Sequence, residues 1–297
     1  MKITVTGALG NISKPLTEIL VQQGHQVTVI SSQPERAGAI TQLGAIPAIG
    51  TIFDRDFLTR AFTGADLVYT MIPPVASFND PTADLMALCR AISENYKAAV
   101  AATGVKRLIH LSSIGAHMQE GNGLLALHTQ AEKTLAQLEG VDITFMRPTG
   151  FYYTLYHFIG MIKQQGFIAA NHGGDDMALY VAPADIAAAI AAEITLPAQH
   201  RKVVYVNSEE LTCSQVAAIL GEAIGKPALQ WHVISNEQML AGLLSAGMQP
   251  AIAAGYVEMF DQVHNGTLYA DYFQHRPVQG PTKLHTFAKD FAAAYHQ

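Results

Sequence analysis

The chain has 297 residues, with 18 Lys plus Arg against 24 Asp plus Glu and a net charge of −6 with His neutral. That length makes one large domain or two modest ones, and an acidic chain without a basic run excludes a phosphate-backbone-binding surface, so no nucleic-acid partner is expected. With 49% apolar and only 14% charged residues, the chain buries a sizeable core and is not disordered.

In chain order, short β-branched runs at Lys2–Val5, Gln26–Ile30, Leu67–Ile72, Arg107–Leu111 and Asp142–Met146 read as buried strands, with a weaker one at Ala45–Ile49. Between them lie helical patterns. The first places Ile12, Leu16 and Ile19/Leu20 on one face, with Pro15 in its first turn and Gly24 at its end. Others run from about Pro34 to Leu43, Pro81 to Thr103 and Leu124 to Leu138, each stopped by a nearby Gly. Strands alternating with helices predict βαβ units: a Rossmann-type, doubly wound parallel α/β sheet.

After Gly150 the rhythm loosens. Phe151–Gln165 reads as an unusually aromatic helix, Ala184–Leu196 as a helix, and Val203–Val206 and Gln230–Ile234 as strands. Thr212–Gln215 and Ser235–Gln238 each spell a capping box before a helix. A last helix, about Thr282–Tyr295, puts Leu284, Phe287, Phe291 and Tyr295 on one face. The expected organisation is a dinucleotide-binding domain over 1–150 and a smaller C-terminal α/β lobe over 151–297, dependent on the first for its packing.

Cys89 and Cys213 form no metal spacing and no disulfide framework, which suits a reducing compartment. The start, Met1–Val5, lacks a secretory pattern, and the Ala-rich stretch Val181–Ile194 is broken by Asp185 and Glu193. A cytoplasmic protein without a membrane partner is the expectation.

The strongest motif is Thr6-Gly7-Ala8-Leu9-Gly10-Asn11-Ile12-Ser13, between a predicted strand and a predicted helix. A pyrophosphate approaches closely only where the backbone lacks a Cβ, and a helix N-terminus offers it free amides and a positive dipole end. Gly7 allows the tight turn and Gly10 the close approach, while Ser13 replaces the third Gly. After the second strand come Ser31, Ser32 and Arg36, with no acid at the strand end itself. That favours NADP over NAD, with Glu35 opposing it and NAD kept as the alternative. His172, Asp175 and Asp176 could suggest a metal, but Gly173-Gly174 reads as a loop, and no metal is expected. Glu209-Glu210 reads as a solvated turn.

Together with that loop, Gly50–Asp54, Leu111–Gly115, His128–Lys133 and Met146–Phe151 make the sequence resemble the NmrA-like group of atypical short-chain dehydrogenases/reductases. The His-x-x-x-Glu-Lys element is similar to that of the bacterial NADPH-dependent quinone reductases in the group. The resemblance implies that Gly7, Ala8, Leu9, Gly10, Asn11 and Ile12 hold the pyrophosphate and that Asp54 lies near the adenine. It places Met71, Ile72 and Pro73 beside the nicotinamide ribose, and Gly150, Phe151 and Tyr152 at the nicotinamide. Thr51 departs from the Asp often found in the group. Ser112 and His128 are further cofactor candidates.

Short-chain reductases usually protonate a carbonyl with a Tyr helped by a Lys four residues on. Matching the helix puts Leu124 and His128 at those positions, so the couple is missing, while Ser113 retains the usual Ser. A quinone-like or activated carbonyl acceptor gives a less basic product, so Ser113 or His128 suffices as catalytic group, with solvent, Tyr152 and Tyr153 as other proton sources. The substrate is a small molecule on this reading. Alternatives are an NADP-binding redox sensor that presents a surface to a protein partner, and a sugar-nucleotide epimerase or related enzyme.

Overall fold

The computed structural model describes residues 1–73 and 84–297. Its largest sheet has seven strands: β1 (Lys2–Val5), β2 (Gln26–Ser31), β3 (Ile46–Ile49), β4 (Leu67–Met71), β5 (Arg107–Leu111), β6 (Asp142–Pro148) and, well beyond them in sequence, β10 (Arg201–Val206). They lie in the order β10-β6-β5-β4-β1-β2-β3. The pairings are parallel, in registers such as Lys2↔Gln26, Ile3↔Leu67, Thr70↔His110 and His110↔Phe145. All six strands predicted before Gly150 are present, and β10 covers the predicted Val203–Val206. Near-continuous burial, as in Leu67 to Thr70, is what a sheet covered on both faces demands.

Among the helices, α1 (Ser13–Gln22), α2 (Ala37–Gln42), α4 (Leu85–Thr103) and α5 (Ala126–Leu135) fall where the periodicity places them. Residues 81–83, where the third predicted helix would begin, lie outside the described residues. Between β3 and β4 stands a helix the periodicity does not predict, α3 (Arg55–Phe62). Its eight residues bury only Leu58 and Phe62, too few to show a period, and the signal was its cap, Asp54, whose carboxylate accepts from the Phe57 amide at 3.0 Å.

The chain forms two compact units. The first comprises Met1–Ser113, Leu127–Arg147 and Ile186–Val204. Its core joins Ile30, Leu58, Phe62, Val68, Tyr96, Leu108, Ile143 and Phe145. The second comprises Ile114–Ala126, Pro148–Asp185 and Tyr205–Gln297.

In the second unit, the segment predicted as one helix over Phe151–Gln165 divides. Gly150–Phe151 form β7, paired with β9 (Met177–Val181), a 3₁₀ turn spans Tyr152–Phe158, and α6 covers Ile159–Gln165. Buried Tyr152 and Leu155 stand three apart, the 3₁₀ spacing, and fix that geometry. Strand β8 (Ile168–Ala170) pairs with β12 (Trp231–Val233), and β11 (Glu209–Thr212) pairs with β9. Helix α7 (Pro183–Thr195) follows β9 in the chain. Both capping boxes are closed reciprocally, at α8 (Cys213–Ala223) and α9 (Asn236–Ser245). Helices α10 (Pro250–His264) and α11 (Ala270–Gln274) were not expected. Helix α12 (Leu284–His296) buries Leu284, Phe291 and Tyr295 as predicted, in an aromatic core with Tyr152, Tyr180 and Trp231.

Candidate functional site

In a parallel sheet the strand ends gather at one edge, and ligands bind where the strand order reverses. Here the reversal falls between β1 and β4. Beyond β1, Thr6 still donates its amide to Tyr69 O at 3.1 Å, and then the chain turns. Gly7 has φ +85°, and a Cβ there would strike Ser13 Oγ and lie 2.6 Å from Met71 Sδ. Gly10 closes the turn, its amide donating to Gly7 O at 3.0 Å. Ala8 also sits at positive φ, +49°, which the motif did not announce because the residue is not Gly.

Helix α1 then begins without help from its own side chains. Its N-cap, Ile12, makes no side-chain cap and its first turn has no acid; α2, α6, α10, α11 and α12 also start without a side-chain cap, but α1 alone among these follows the Gly7–Gly10 turn at the reversal point. First-turn amides have no intrahelical acceptor. A loop whose glycine position a Cβ would fill, leading into a helix start left uncapped, fits the pyrophosphate of a dinucleotide. Ser13 replaces glycine without a void: it is buried, and its hydroxyl faces Met71 Sδ at 3.8 Å.

Around this loop, Met71 is held by Tyr96, whose hydroxyl donates to Met71 O at 3.0 Å, and Ile72 and Pro73 follow, half-buried. At the end of β2, the buried Ser31 hydroxyl accepts from the Gln33 amide at 3.1 Å. Ser32 is exposed, Arg36 half-buried and Glu35 exposed. Asp54, expected near the adenine, has its carboxylate committed to the start of α3.

Beyond β5, Ser112 stays in the ladder through its amide, which donates to Met146 O at 2.8 Å. Its hydroxyl donates to Glu132 Oε1 at 2.5 Å, and Glu132 also receives Arg147 through Nε at 2.9 Å and Nη2 at 2.7 Å. This buried fork joins β5, β6 and α5, and assigns the Glu of the His-x-x-x-Glu-Lys element a holding task. Four residues before Glu132, on the same face of α5, stands His128. The imidazole is half-buried with Nδ1 shut off from solvent, and burial pulls its pKa down to about 4 against the raising influence of Glu132. It is therefore neutral at pH 7. Ser113 is half-buried at the end of the same strand segment.

The first unit thus brings Gly7 to Ile12, Ser31, Met71, Ser112 and Ser113 to the carboxyl edge of its sheet. Gly150, Phe151 and Tyr152 belong to the second unit. There the Tyr152 ring stacks with Tyr180 and Phe287, and its hydroxyl donates to Glu209 Oε2 and to Thr282 O, each at 3.2 Å. Burial, then the Glu209 carboxylate, raises its pKa. Glu209, expected as a solvated turn charge, is instead half-buried and also accepts from the Leu284 amide at 2.7 Å. Tyr153 is half-buried against Phe151, its pKa raised by burial. His172 stacks on Phe260, with ring centroids 4.4 Å apart. Asp176 pairs with His264 at 2.7 Å and accepts from the Gly173 amide.

Comparison with known proteins agrees with this geometry. The chain belongs to the NAD(P)H-binding family, whose model matches residues 7–197. It is 26% identical to a (4-alkanoyl-5-oxo-2,5-dihydrofuran-3-yl)methyl phosphate reductase of Streptomyces griseus subsp. griseus, over 89% of this chain and 88% of that protein. Its fold matches an NADPH-dependent quinone oxidoreductase of Escherichia coli solved with NADPH, with a TM-score of 0.81, 22% identity, and 97% and 99% of the two chains covered. It also matches a triphenylmethane reductase of Citrobacter, with a TM-score of 0.79, 20% identity, and 99% and 100% covered. The fold is the Rossmann-like α/β fold expected.

Proposed function

We propose that the chain is an NADPH-dependent oxidoreductase that reduces a small quinone-like or otherwise activated carbonyl acceptor. The observation that carries this reading is the uncapped start of α1 behind the Gly7–Gly10 turn, in a chain of the NAD(P)H-binding family. The reductase relative at 26% identity supports reduction as the reaction type.

Bound cofactor supplies the hydride; the chain binds and orients. The loop amides around the Gly10 turn, those of Ala8, Leu9, Asn11 and Ile12, take the pyrophosphate. Ser31, Ser32 and Arg36 face the ribose end, where the absence of an acid at the strand terminus accommodates a 2′-phosphate. Met71, Ile72 and Pro73 flank the nicotinamide ribose. Ser113 and His128 orient the acceptor, and a neutral imidazole with a protonated nitrogen can donate a hydrogen bond to the oxygen that gains charge. A phenolate-type product needs little more, which removes the need for a Tyr/Lys couple.

Titration with NADPH and NADH, followed by nicotinamide fluorescence, tests this, with a quinone panel followed by loss of nicotinamide absorbance. NADPH is expected to bind more tightly, and at least one quinone to be reduced. Gly10→Val should abolish binding by filling the pyrophosphate space. No binding of either cofactor to the wild type would sink the proposal. Tight binding without turnover would favour a redox sensor.

A further inference from the structure

The half-buried His128, with its enclosed Nδ1, has a second shielded imidazole beside it. His110, in β5, is fully buried, its Nδ1 lies 2.9 Å from Thr70 Oγ1 on β4, and its Nε2 is enclosed without a hydrogen-bond partner among the described residues. Among the described residues, His128 Nδ1 is enclosed and unpartnered as well. An unpaired buried ring nitrogen costs about 1–3 kcal/mol, so two in one region call for an explanation.

The elements that carry the two rings pack against each other. Alternate residues of an extended strand share a face, as do residues four apart on a helix. His110 and Ser112 therefore lie on one face of the β5 segment, and His128 and Glu132 on one face of α5. The Ser112–Glu132 hydrogen bond locks those faces against each other. The rings sense each other: a charge on His128 lowers the pKa of His110. One buried water between them would satisfy both orphaned nitrogens.

We propose that His110 is a positioning residue for His128: with Thr70 it forms a buried relay that fixes His128 in the tautomer bearing its proton on Nε2. The direction follows from the hydroxyl. Among the described residues, His110 Nδ1 is the hydrogen-bond partner of Thr70 Oγ1. The buried hydroxyl proton therefore goes to that nitrogen. His110 then carries its own proton on Nε2 and donates toward the lone pair of His128 Nδ1, which leaves His128 protonated on Nε2 as a hydrogen-bond donor. The surroundings keep the pair neutral: burial is the main cause at both rings. The facing groups are Thr70 from β4, Phe145 from β6 and Glu132 from α5, whose charge is matched by Arg147. On α4, the Cys89 thiol donates to Leu127 O at 3.1 Å, and its pKa is raised to about 11 by burial.

The inference rests on the proposed role of His128, and its test is separate from turnover. In the full chain with ¹⁵N-labelled histidines at pH 7, long-range ¹⁵N–¹H spectra read each tautomer, and His128→Gln assigns the signals. Wild type should show His128 as the Nε2–H form alone. Thr70→Val and His110→Phe should populate both tautomers and lower kcat about fivefold, the factor one neutral hydrogen bond supports, with KM for NADPH unchanged. Thr70→Ser should restore both. If His110→Phe does not fold, the near-isosteric Thr70→Val decides. An Nδ1–H form in the wild type, or a His128 tautomer unmoved by Thr70→Val, overturns the relay. Failure of NADPH to bind the wild type would overturn the proposed function and leave the tautomer result readable.

Discussion

Replacing Gly7 by Ala is the sharpest perturbation of the nucleotide loop. At φ +85°, an L-residue costs roughly 1–2 kcal/mol. The new methyl would also meet Ser13 Oγ and lie 2.6 Å from Met71 Sδ, and overpacking of this kind adds about 1–3 kcal/mol. Gly7→Ala should therefore destabilise the first unit by about 3 kcal/mol, read as a fall in Tm of at least about 5 °C. Since the loop must shift, NADPH affinity should fall with it. The neighbouring position should respond with the opposite sign. Ala8, at φ +49°, already carries the left-handed cost, and Ala8→Gly relieves it against a backbone-entropy loss of about 0.5–1 kcal/mol. That variant should melt at or slightly above the wild-type temperature. Thermal melts by circular dichroism and fluorescence titration read both. A Gly7→Ala protein with wild-type Tm and affinity would refute the loop geometry.

The other predictions are as follows. Asp54→Ala should cost about 1 kcal/mol of stability by removing the α3 cap, and Asp54→Asn should keep most of it, as urea melts would show. Glu132→Leu removes the acceptor of Ser112 and of two charged Arg147 hydrogen bonds in a buried site, so it should cost about 3–5 kcal/mol; adding Arg147→Met should recover part of the loss in a double-mutant cycle. His110 and His128, with pKa values lowered to about 3 and about 4 by burial, take up protons on unfolding. Stability should therefore fall as the pH drops below 6.5 toward 4, by about 1.4 kcal/mol per pH unit for each histidine. His128→Gln should flatten that acid limb by one proton, and an unchanged slope would exclude His128 as a buried neutral group.

Much of this was legible because local chemistry and global fold agree. The loop from Thr6 to Ser13, the β-branched runs and the two capping boxes each depend on residues within a few positions of one another, and each formed as read. Helix α3 was missed because two buried side chains cannot show a period. The 3₁₀ turn at Tyr152–Phe158 was read as helix because aromatic density carries no spacing of its own. The site was less legible. Glu209 was read as a turn charge because its partners, Tyr152 and Leu284, lie far off in sequence. The fork of Ser112, Glu132 and Arg147 depends on three distant segments meeting. His110 sits in an apolar run, where nothing local announces that it faces Thr70.

The sheet's outermost strand on one side, β10, follows β6 only after roughly 50 further residues have been made. At a synthesis rate of about 5–20 residues per second, β6 stands as an open edge on the ribosome for roughly 3–10 s. Exposed strand edges recruit foreign strands, so the interval between those two strands is when a nascent chain most needs shielding. Slowing translation between Gly150 and Arg201 should lower soluble yield more than slowing it after β10.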